Sequence, residues 1–307
     1  MTEPSGLLII NKHLGVTSHD IVWKIRKLFG TKRVGHTGTL DPMASGVLVV
    51  LVGRAAKAAE YLVSDEKRYS ALLRLGLTTD TEDATGTVLT TTDALPSAEE
   101  VLSTCEKFVG EILQIPPMYS ALKVGGQKLC DLARKGIEIE REARPVTIHS
   151  LVCAPTEIPS EYRLDVLCSS GTYIRTLCAD IGASLGCGAV MAALERTRTG
   201  GFSIEESHTI QQLEAMSADE RLACLIPTER LFDSLPAVCL PEFFEKLCRG
   251  GCELYQKKLR TDYAVGQRVR LCSADGHFFA LGEVRDYESG SAIKAIKTFE
   301  LDQKELL

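Results

Sequence analysis

Asp41 is the residue whose type and setting could do chemistry, because it lies in the loop sequence GHTGTLDP (35–42). Pro42 favours an extended or turn geometry at the residue before it, and Gly35 and Gly38 would let the backbone approach a ligand closely. A carboxylate presented in this way could act as a nucleophile or as a general base. The spacing alone fits a simpler interpretation equally well, in which Asp41 accepts hydrogen bonds from its own backbone in an Asx-turn.

Three further residues have types that would suit a polar site. His36 is the histidine of the Gly-rich loop, and Tyr69 falls within a predicted strand, but alone each is more often an ordinary loop or packing residue. Arg175 is less ordinary, because it falls in the first turn of a predicted helix, where the helix dipole disfavours cations. Its position therefore predicts a carboxylate or phosphate partner.

Sequence patterns for cofactor and metal chemistry are absent. The chain has no P-loop, no G-x-G-x-x-G after a strand, no H-E-x-x-H and no G-x-S-x-G. The polar segment 78–88 lacks the ligand spacing of a calcium loop. The eleven cysteines include no C-x-x-C and no Cys-His pair at zinc spacing, so we interpret them as reduced, small apolar residues. We expect no cofactor and no metal.

The composition is that of a globular protein with a large core. With 307 residues, of which 45% are hydrophobic, one large domain and one small domain are the natural expectation. No apolar run approaches the ~18 residues of a membrane span, and the N-terminus does not resemble a signal peptide. We therefore expect a cytoplasmic protein with no membrane partner.

The charge distribution matters more than the net charge of −6, which by itself argues against a nucleic-acid partner. Residues 21–40 contain no acid and five basic residues. A local basic stripe can bind a phosphate backbone, although such a stripe is more often a solvated helix face. The basic residues are Lys24, Arg26, Lys27, Lys32 and Arg33.

The elements around the Asp41 loop are predicted clearly. Residues 7–12 read as a buried strand, and Ser18 is the expected N-cap of a helix that ends at Gly30. The apolar run 46–53 predicts a central strand. The loop would therefore lie between a basic helix and a buried strand.

Later segments predict further helices and strands. Tyr69, Ala71, Leu73 and Leu75 would share one face of a strand, and residues from about 236 onwards read as a small β domain. The other predicted elements are helices at 54–63 and 97–109, a Gly-Gly hairpin and helix within 115–136, strands at 145–154 and 162–169, a helix within 169–186, and a strand leaving the core at 191–202.

Four segments, in this order and spacing, resemble the TruB family of tRNA pseudouridine synthases. The resemblance is dense over about residues 5–200 and looser beyond. Together the four are far more specific than any single residue above. They are GHTGTLDPMASGVL (35–48), KRYSALLRLGLTTDTEDATG (67–86), IPPMYSALKVGGQKLCDLARKG (115–136) and GTYIRTLCADIGASLGCGA (171–189).

The resemblance implies isomerisation of uridine to pseudouridine at position 55, in the T-loop of tRNA, without cofactor or metal. Asp41 matches the essential aspartate, Arg175 the arginine that pairs with it, and Tyr69 the tyrosine that stacks on the target base and is a candidate acceptor of its C5 proton. Flipping the base out costs a few kcal/mol, and stacking can return about 1–3 kcal/mol. The residues expected to bind substrate are His36, Tyr173, Leu194, Lys12 and Lys123.

The resemblance also implies a fold and a partner. We expect an α+β protein with a long mixed, mainly antiparallel central sheet flanked by helices. Residues 1–233 would form the catalytic domain, with a rim insertion at about 115–145, and residues 236–307 a small PUA-like β domain that binds RNA. The expected partner is the T-arm stem-loop of tRNA, bound by a monomer that needs no other protein.

Two other functions remain open. The first is a non-catalytic chaperone of tRNA folding that uses the same cleft. The second is a subunit of a guide-RNA-dependent particle, but the final residues, FELDQKELL, form no basic tail, which favours the stand-alone enzyme. The chemical route is open as well, because Asp41 could attack C6 of the uracil, attack C1′ of the ribose, or abstract a ribose proton to give a glycal.

Overall fold

The computed structural model describes residues 3–61, 66–120 and 122–299. Within these ranges the strands are β1 (Gly6–Lys12), β2 (Val34–His36), β3 (Ala44–Val52), β4 (Lys67–Leu75), β5 (Leu77–Thr79), β6 (Val88–Thr91), β7 (Gly110–Gln114), β8 (Lys123–Val124), β9 (Gln127–Lys128), β10 (Arg144–Pro155), β11 (Glu161–Cys168), β12 (Ala189–Thr199), β13 (Phe202–Ser203), β14 (Ala237–Cys239), β15 (Leu254–Tyr255), β16 (Arg268–Cys272), β17 (Phe278–Tyr287) and β18 (Gly290–Thr298).

The helices of the same ranges are mostly short. The α-helices are α1 (Ser18–Phe29), α2 (Ala98–Glu106), α3 (Leu129–Ala133), α4 (Ile174–Ser184), α5 (Ile210–Ala215), α6 (Ala218–Ala223), α7 (Glu242–Arg249) and α8 (Gln256–Leu259). Three 3-10 helices span Gly53–Tyr61, Ile204–Glu206 and Thr228–Phe232. Among the described helices, none combines the length and the apolar character that crossing a membrane requires. The helix expected at 54–63 is therefore a 3-10 helix to Tyr61, and residues 62 and 63 lie outside the described residues.

A nine-stranded sheet forms the body of the molecule. Its main path runs β1-β3-β12-β4-β11-β10-β7, with β2 added to β3 and β13 to β12. Of its described pairings, only β3 with β12 is parallel, and the others are antiparallel. The expected α+β class, with a long mixed and mainly antiparallel sheet, is confirmed.

Strands β1 and β3 are buried on both faces, which explains their continuous apolar sequences. One face packs against α1 and α5, and the other packs against Ala55 and Phe202. Further along the sheet, the inward face of β4 packs under α2 and α4. As predicted, that face carries Tyr69, Ala71, Leu73 and Leu75, all of them buried.

The expectation that residues 191–202 form a strand leaving the core is wrong. Strand β12 is an interior strand between β3 and β4, and its first three residues are fully buried. Its second half carries the charged residues Glu195, Arg196 and Arg198. Arg196 is nevertheless only 2% exposed, because its guanidinium is hydrogen-bonded inside the sheet.

Helix α1 begins one residue earlier than expected, because Thr17 rather than Ser18 is the N-cap. The Thr17 hydroxyl accepts from the Asp20 backbone N–H, and the Asp20 carboxylate accepts from the Thr17 N–H in return. Ser18 turns inward instead, where its hydroxyl accepts from Leu40 N–H at 2.8 Å and donates to Leu40 O at 3.0 Å. At the other end, Gly30 adopts the predicted left-handed conformation (φ 63°).

The segment 115–136 contains the predicted Gly-Gly hairpin, β8–β9, followed by helix α3. It has a small apolar cluster of its own, formed by Met118, Leu129 and Leu132. This segment borders the main sheet without adding a strand to it.

A second, five-stranded sheet in the order β14-β16-β17-β18-β15 follows after residue 236. It has its own apolar core, and it contacts the rest of the chain through a cluster that includes Ala58, Phe232, Phe278 and Phe299. Residues 300–307 of the predicted C-terminal domain lie outside the described residues. The domain boundaries, the PUA-like character and the RNA-binding role stay predictions.

Candidate active site

The loop that carries Asp41 joins β2 to β3, and backbone contacts hold it on both sides. Thr37 N–H donates to Val49 O at 3.1 Å, and Ala44 N–H donates to Asp41 O at 3.0 Å, which closes a turn. Beyond the sheet, Gly15 N–H donates to Pro42 O at 2.8 Å. The bonds between Ser18 and Leu40 complete the attachment to helix α1. Asp41 therefore sits on a fixed loop, as Pro42 and the glycines suggested.

Arg196 binds the same loop from below. Its guanidinium donates to Val47 O at 2.8 Å, Gly38 O at 3.1 Å and Thr39 O at 3.3 Å. The planar, always charged guanidinium of Arg196 thus binds carbonyl oxygens of the Asp41 loop and of the strand that follows it, β3. Sequence reasoning missed Arg196, although it lies two residues after Leu194 on a strand, on the side that faces the core.

Asp41 and Arg175 form an ion pair, with Asp41 Oδ2 and Arg175 Nη2 3.0 Å apart. The arginine side chain is 5% exposed and the aspartate side chain 38% exposed. The carboxylate thus remains accessible, while the guanidinium behind it is buried. The buried guanidinium therefore holds one oxygen of the accessible carboxylate in a fixed place.

Arg175 is the second residue of α4, the position where a cation is disfavoured. Backbone carbonyls hold it, since Nη1 donates to Thr81 O at 3.1 Å and Nη2 donates to Tyr119 O at 2.8 Å. A second carboxylate also faces it, with Asp83 Oδ2 3.8 Å from Arg175 Nη1. Two carboxylates and two carbonyls offset the unfavourable helix dipole, and they fix the guanidinium in place.

Asp83 is the other residue that sequence reasoning missed. It is 5% exposed and lies in the turn between β5 and β6. Its Oδ1 accepts from the backbone N–H of Thr85 at 2.9 Å and from the hydroxyls of Thr81 and Thr85 at 2.8 and 2.5 Å. The dense Thr and Asp spacing of this segment indicates such a self-bonded turn, but not that the turn reaches Arg175.

Tyr69 lies on β4 with only 7% of its surface exposed. Burial raises the pKa of its phenol, and the Arg196 guanidinium nearby opposes that rise. The phenol is therefore neutral at neutral pH. A neutral aromatic ring on a rigid strand is suited to stack on a base, and its hydroxyl can pass on a proton without carrying a standing charge.

One cavity of about 320 Å³ brings these groups together. A cavity of this size lies at the lower end of the range for small-molecule sites, as expected for a pocket that admits one nucleobase. Lys67 stands on its rim, where its ammonium donates to Ser170 Oγ at 3.3 Å. The predicted site residues that line it are Asp41, Tyr69, Tyr173, Arg175 and Leu194.

Tyr173 is placed by its backbone rather than by its side chain. Its N–H donates to Gln114 Oε1 at 2.8 Å, and its carbonyl accepts from Gln114 Nε2 at 3.0 Å. Gln114 is buried at the end of β7. The start of α4 is thereby hydrogen-bonded to β7, the last strand on the main path of the sheet. These bonds fix the part of the cavity wall that Tyr173 forms.

The other three predicted substrate-binding residues do not line the cavity. His36 lies half-buried at the end of β2, and burial lowers its pKa, with the charges of Arg196 and His19 adding to the effect. Lys123 is exposed on the β8–β9 hairpin, next to Leu122, which does line the cavity. Lys12 has no exposed surface.

The Lys12 ammonium donates to Val16 O at 3.0 Å and to His13 O at 3.1 Å. Burial lowers its pKa to about 8, with Asp41 opposing the change and Arg196 adding to it. The structure therefore places Lys12 behind the Asp41 loop as a buried positive charge, not on a surface that substrate could contact.

The basic stripe is only partly open to solvent. Arg26 turns inward to donate to Val34 O at 3.2 Å, and Arg33 pairs with Glu3 at 2.9 Å. Lys24 Nζ lies 3.9 Å from Glu214. The described residues contain no group of three or more His, Cys, Asp or Glu side chains placed to hold a metal ion.

Comparison with known proteins gives a consistent result. Residues 26–174 match the model of the TruB family pseudouridylate synthase N-terminal domain, and residues 175–233 match that of the tRNA pseudouridylate synthase B C-terminal domain. The chain is 41% identical over 294 residues to tRNA pseudouridine synthase B of Clostridium kluyveri, covering 96% of this chain and 99% of that protein. It is 46% identical to the protein of the same name from Thiobacillus denitrificans, covering 91% of each.

A solved structure with a similar fold is the crystal structure of a Cbf5-Nop10-Gar1 complex. The TM-score is 0.74 and the identity 25%, with 96% of this chain and 85% of that chain covered. The archaeal box H/ACA sRNP Nop10-Cbf5 complex gives a TM-score of 0.70 at 22% identity, covering 97% and 87% of the two chains, which bears on the fold alone.

Proposed function

The chain belongs to the TruB family of tRNA pseudouridine synthases, which are isomerases, and on that premise we propose that its target is uridine 55 in the T-loop of tRNA. The observation that carries this proposal is the Asp41–Arg175 pair in the wall of the cavity. The carboxylate is accessible, and the arginine that holds it is buried. Such a carboxylate can reach a base that has been flipped out of the RNA.

We propose that the flipped uracil stacks on Tyr69 and lies between Leu194 and Tyr173. Stacking returns about 1–3 kcal/mol of the few kcal/mol that flipping costs. Asp41 then assists the break of the N1–C1′ bond. The uracil turns within the cavity and rejoins the ribose through C5.

The exchange of bonds balances without a cofactor. The N1–C1′ bond breaks, the C5–C1′ bond forms, the C5 proton leaves and N1 gains a proton. The hydroxyl of Tyr69 is our candidate for the group that relays the C5 proton. Attack of Asp41 on C6, attack on C1′ and formation of a glycal all use the same carboxylate, so the geometry supports each route equally.

The test is the change Asp41→Asn, which keeps the shape of the side chain and removes its charge. We expect this variant to bind unmodified tRNA transcript with unchanged affinity and to make no pseudouridine. Asp165→Asn is the matched control, because Asp165 is 40% exposed and pairs with Arg68 at 2.9 Å outside the cavity. Robust turnover by Asp41→Asn would remove Asp41 from the proposed role.

We further propose that the enzyme acts as a monomer in the cytoplasm and needs no guide RNA or protein partner. Support comes from relatives named tRNA pseudouridine synthase B that match this chain over nearly their whole length. The decisive assay uses an isolated T-arm stem-loop and the purified chain. Pseudouridine should form in it, and none should form when the target uridine is replaced by cytidine.

We also propose that residues 1–233 form the catalytic domain, with a rim insertion at about 115–145, and that 236–307 form a small RNA-binding, PUA-like domain. The separate core of the five-stranded sheet supports this division. His36, in the strand before the Asp41 loop, and Lys123, next to the cavity residue Leu122, are proposed to contact the RNA that surrounds the flipped base.

A further inference from the structure

Trp23, the only tryptophan of the chain, lies on the surface of helix α1. Its side chain is 52% exposed, whereas Ile21, Val22 and Ile25 on the same helix are buried in the core. The core therefore does not require this ring. One exposed apolar side chain is common on protein surfaces, so the groups beside the ring decide whether it forms a contact surface.

Trp23 belongs to an exposed stripe along α1. His19, Trp23 and Lys27 follow one another at intervals of four residues, which places them on one face of the helix, and all three are exposed. The Lys27 ammonium lies 3.6 Å from the centroid of the tryptophan ring. We call these three residues the α1 stripe.

Lys27 gives the α1 stripe its positive charge, and the acid of the same helix is engaged elsewhere. Asp20 is the acid of α1, and its carboxylate is already bound to the N–H and the hydroxyl of Thr17. Lys27 also differs from its basic neighbours, since Arg26 and Arg33 are directed to protein oxygens. An aromatic ring with an adjacent cation matches the chemistry of RNA, a π-face beside a phosphate.

The start of α1, where the stripe begins at His19, is attached to the loop that carries Asp41. The chain just before α1 bonds to the Asp41 loop through Gly15 and Pro42, and Ser18 bonds to Leu40. RNA that enters the cavity beside His36 would therefore pass over the start of α1.

We propose that an unstacked base of the bound tRNA, other than the isomerised uridine, stacks on Trp23 while Lys27 binds a neighbouring phosphate. This rests on the proposed function, because it takes tRNA as the ligand. It adds a second anchor outside the cavity. Such an anchor would hold the RNA in register while the target base is flipped.

The single tryptophan makes the proposal directly measurable. When unmodified tRNA transcript is titrated into the full-length chain, stacking of a base on Trp23 should quench its fluorescence in proportion to the RNA bound. Binding measured independently by filter retention should give the same midpoint.

Variants separate stacking from simple burial of an apolar group. Trp23→Ala should weaken tRNA binding about tenfold, Trp23→Phe should restore most of the affinity, and Trp23→Leu should not. Lys27→Gln should lower the slope of log K against log salt by about 0.7–0.9. Because Trp23 is half-exposed, the melting temperatures of these variants should stay near that of the wild type.

Ile158→Ala is the matched control. Ile158 is 51% exposed and lies in the β10–β11 turn, beside Arg74 and Glu161 at the opposite end of β4 from Tyr69. It should change neither affinity nor salt dependence.

The outcomes distinguish this proposal from the proposed function. If the wild type binds tRNA and makes pseudouridine, but its fluorescence is unchanged at saturation and Trp23→Ala binds normally, the second anchor does not exist. If Trp23→Leu restored the affinity for tRNA, the proposal that a base stacks on Trp23 would also be wrong. That result would indicate that the side chain at position 23 is buried against a non-aromatic surface. Absence of both tRNA binding and pseudouridine in the wild type would instead reject the proposed function.

Discussion

At the scale of single residues, the site depends on how two arginines are held. Arg175 has carboxylates on two sides and supports Asp41 directly. Arg196 contacts no carboxylate in the cavity wall but fixes three carbonyl oxygens of the loop and strand that carry Asp41. The first arginine holds the Asp41 carboxylate, and the second holds the backbone of the loop that carries it.

Replacing Arg196 by lysine should lower kcat about tenfold to a hundredfold with a much smaller effect on KM. A single ammonium cannot span the carbonyls of Gly38, Thr39 and Val47, so the carboxylate loses its alignment while the RNA-binding surface stays. Steady-state kinetics on tRNA transcript provides the measurement. Arg198→Lys, on the same strand but 42% exposed, is the control and should act like the wild type. Equal kcat in both variants would contradict the positioning role.

Asp180 should give a pH-dependent stability change. Burial raises its pKa to about 6, and the charge of Glu82 adds to this. The folded state therefore binds the proton more tightly than the unfolded chain, and stability decreases as the pH rises from about 4 to 6. Asp180→Asn removes this effect, so it should be more stable than the wild type at pH 8, by an amount on the order of 1 kcal/mol.

Below pH 4 the two proteins should be equally stable, because aspartic acid is then neutral in both states. Urea unfolding at pH 8 and at the acid limit provides the comparison, with the exposed Asp286→Asn as the control. A stability difference that is the same at both pH values would show that the substitution acts through packing instead.

The sequence alone pointed to those site residues that have unusual sequence neighbours or an unusual position in a predicted element. Asp41 stands out by its glycines and proline, and Arg175 by its place at the start of a helix. Arg196 and Asp83 could not be found in this way, because each lies in an ordinary local sequence and acts on residues far along the chain. Such partners are defined only once the sheet order is known.

At the scale of elements, the parallel strands β3 and β12 approach each other very closely where β3 follows the Asp41 loop. Gly46 has φ +100°, and a Cβ at this position would lie 2.2 Å from Arg196 O. Both the conformation and the contact exclude other residues. The glycine that follows the Asp41 loop therefore sets the distance between that loop and its arginine.

Gly46→Ala should destabilise the protein by about 3 kcal/mol or more, because β12 must move to relieve the overlap. The free energy of unfolding in urea provides the test. Gly35→Ala is the control, since a Cβ there meets no atom within 4 Å. Wild-type stability of Gly46→Ala would contradict the close approach of the two strands.

Elements with a regular apolar pattern were predicted closely. Helix α1, strand β4 and the Gly-Gly hairpin all have local signals that agree with their final environment. Strand β12 was expected to leave the core, but it is an interior strand. Its burial comes from pairing with β3 and β4, and that pairing is not encoded in its own sequence.

At the scale of the whole molecule, the two sheets share an aromatic contact. The rings of Phe232, Phe278 and Phe299 all contact one another, with centroid distances of 5.9, 5.7 and 5.5 Å, and Ala58 of the main body joins the same cluster. Further bonds reinforce it, because Arg268 donates to Tyr61 O and Lys297 pairs with Glu60. The five-stranded sheet is thus fastened to the body that holds the cavity.

Phe232→Ala should lower the free energy of unfolding by about 3–5 kcal/mol and uncouple the two sheets. In the wild type, Trp23 fluorescence and far-UV circular dichroism should report one urea transition. In the variant, the two probes should give separate midpoints. The exposed Phe243→Ala is the control and should keep a single transition. Coincident transitions in Phe232→Ala would show that this cluster is not what couples the sheets.

The strand order has a consequence for the newly made chain on the ribosome. Strands β1 to β4 leave the tunnel first, but the gap between β3 and β4 is filled only by β12, much later in the sequence. The outer edge of β1 stays open until residues near His208 and Ile226 emerge to bridge it. A nascent chain that carries Asp41 therefore has no assembled pocket until β12, with Leu194 and Arg196, has been translated.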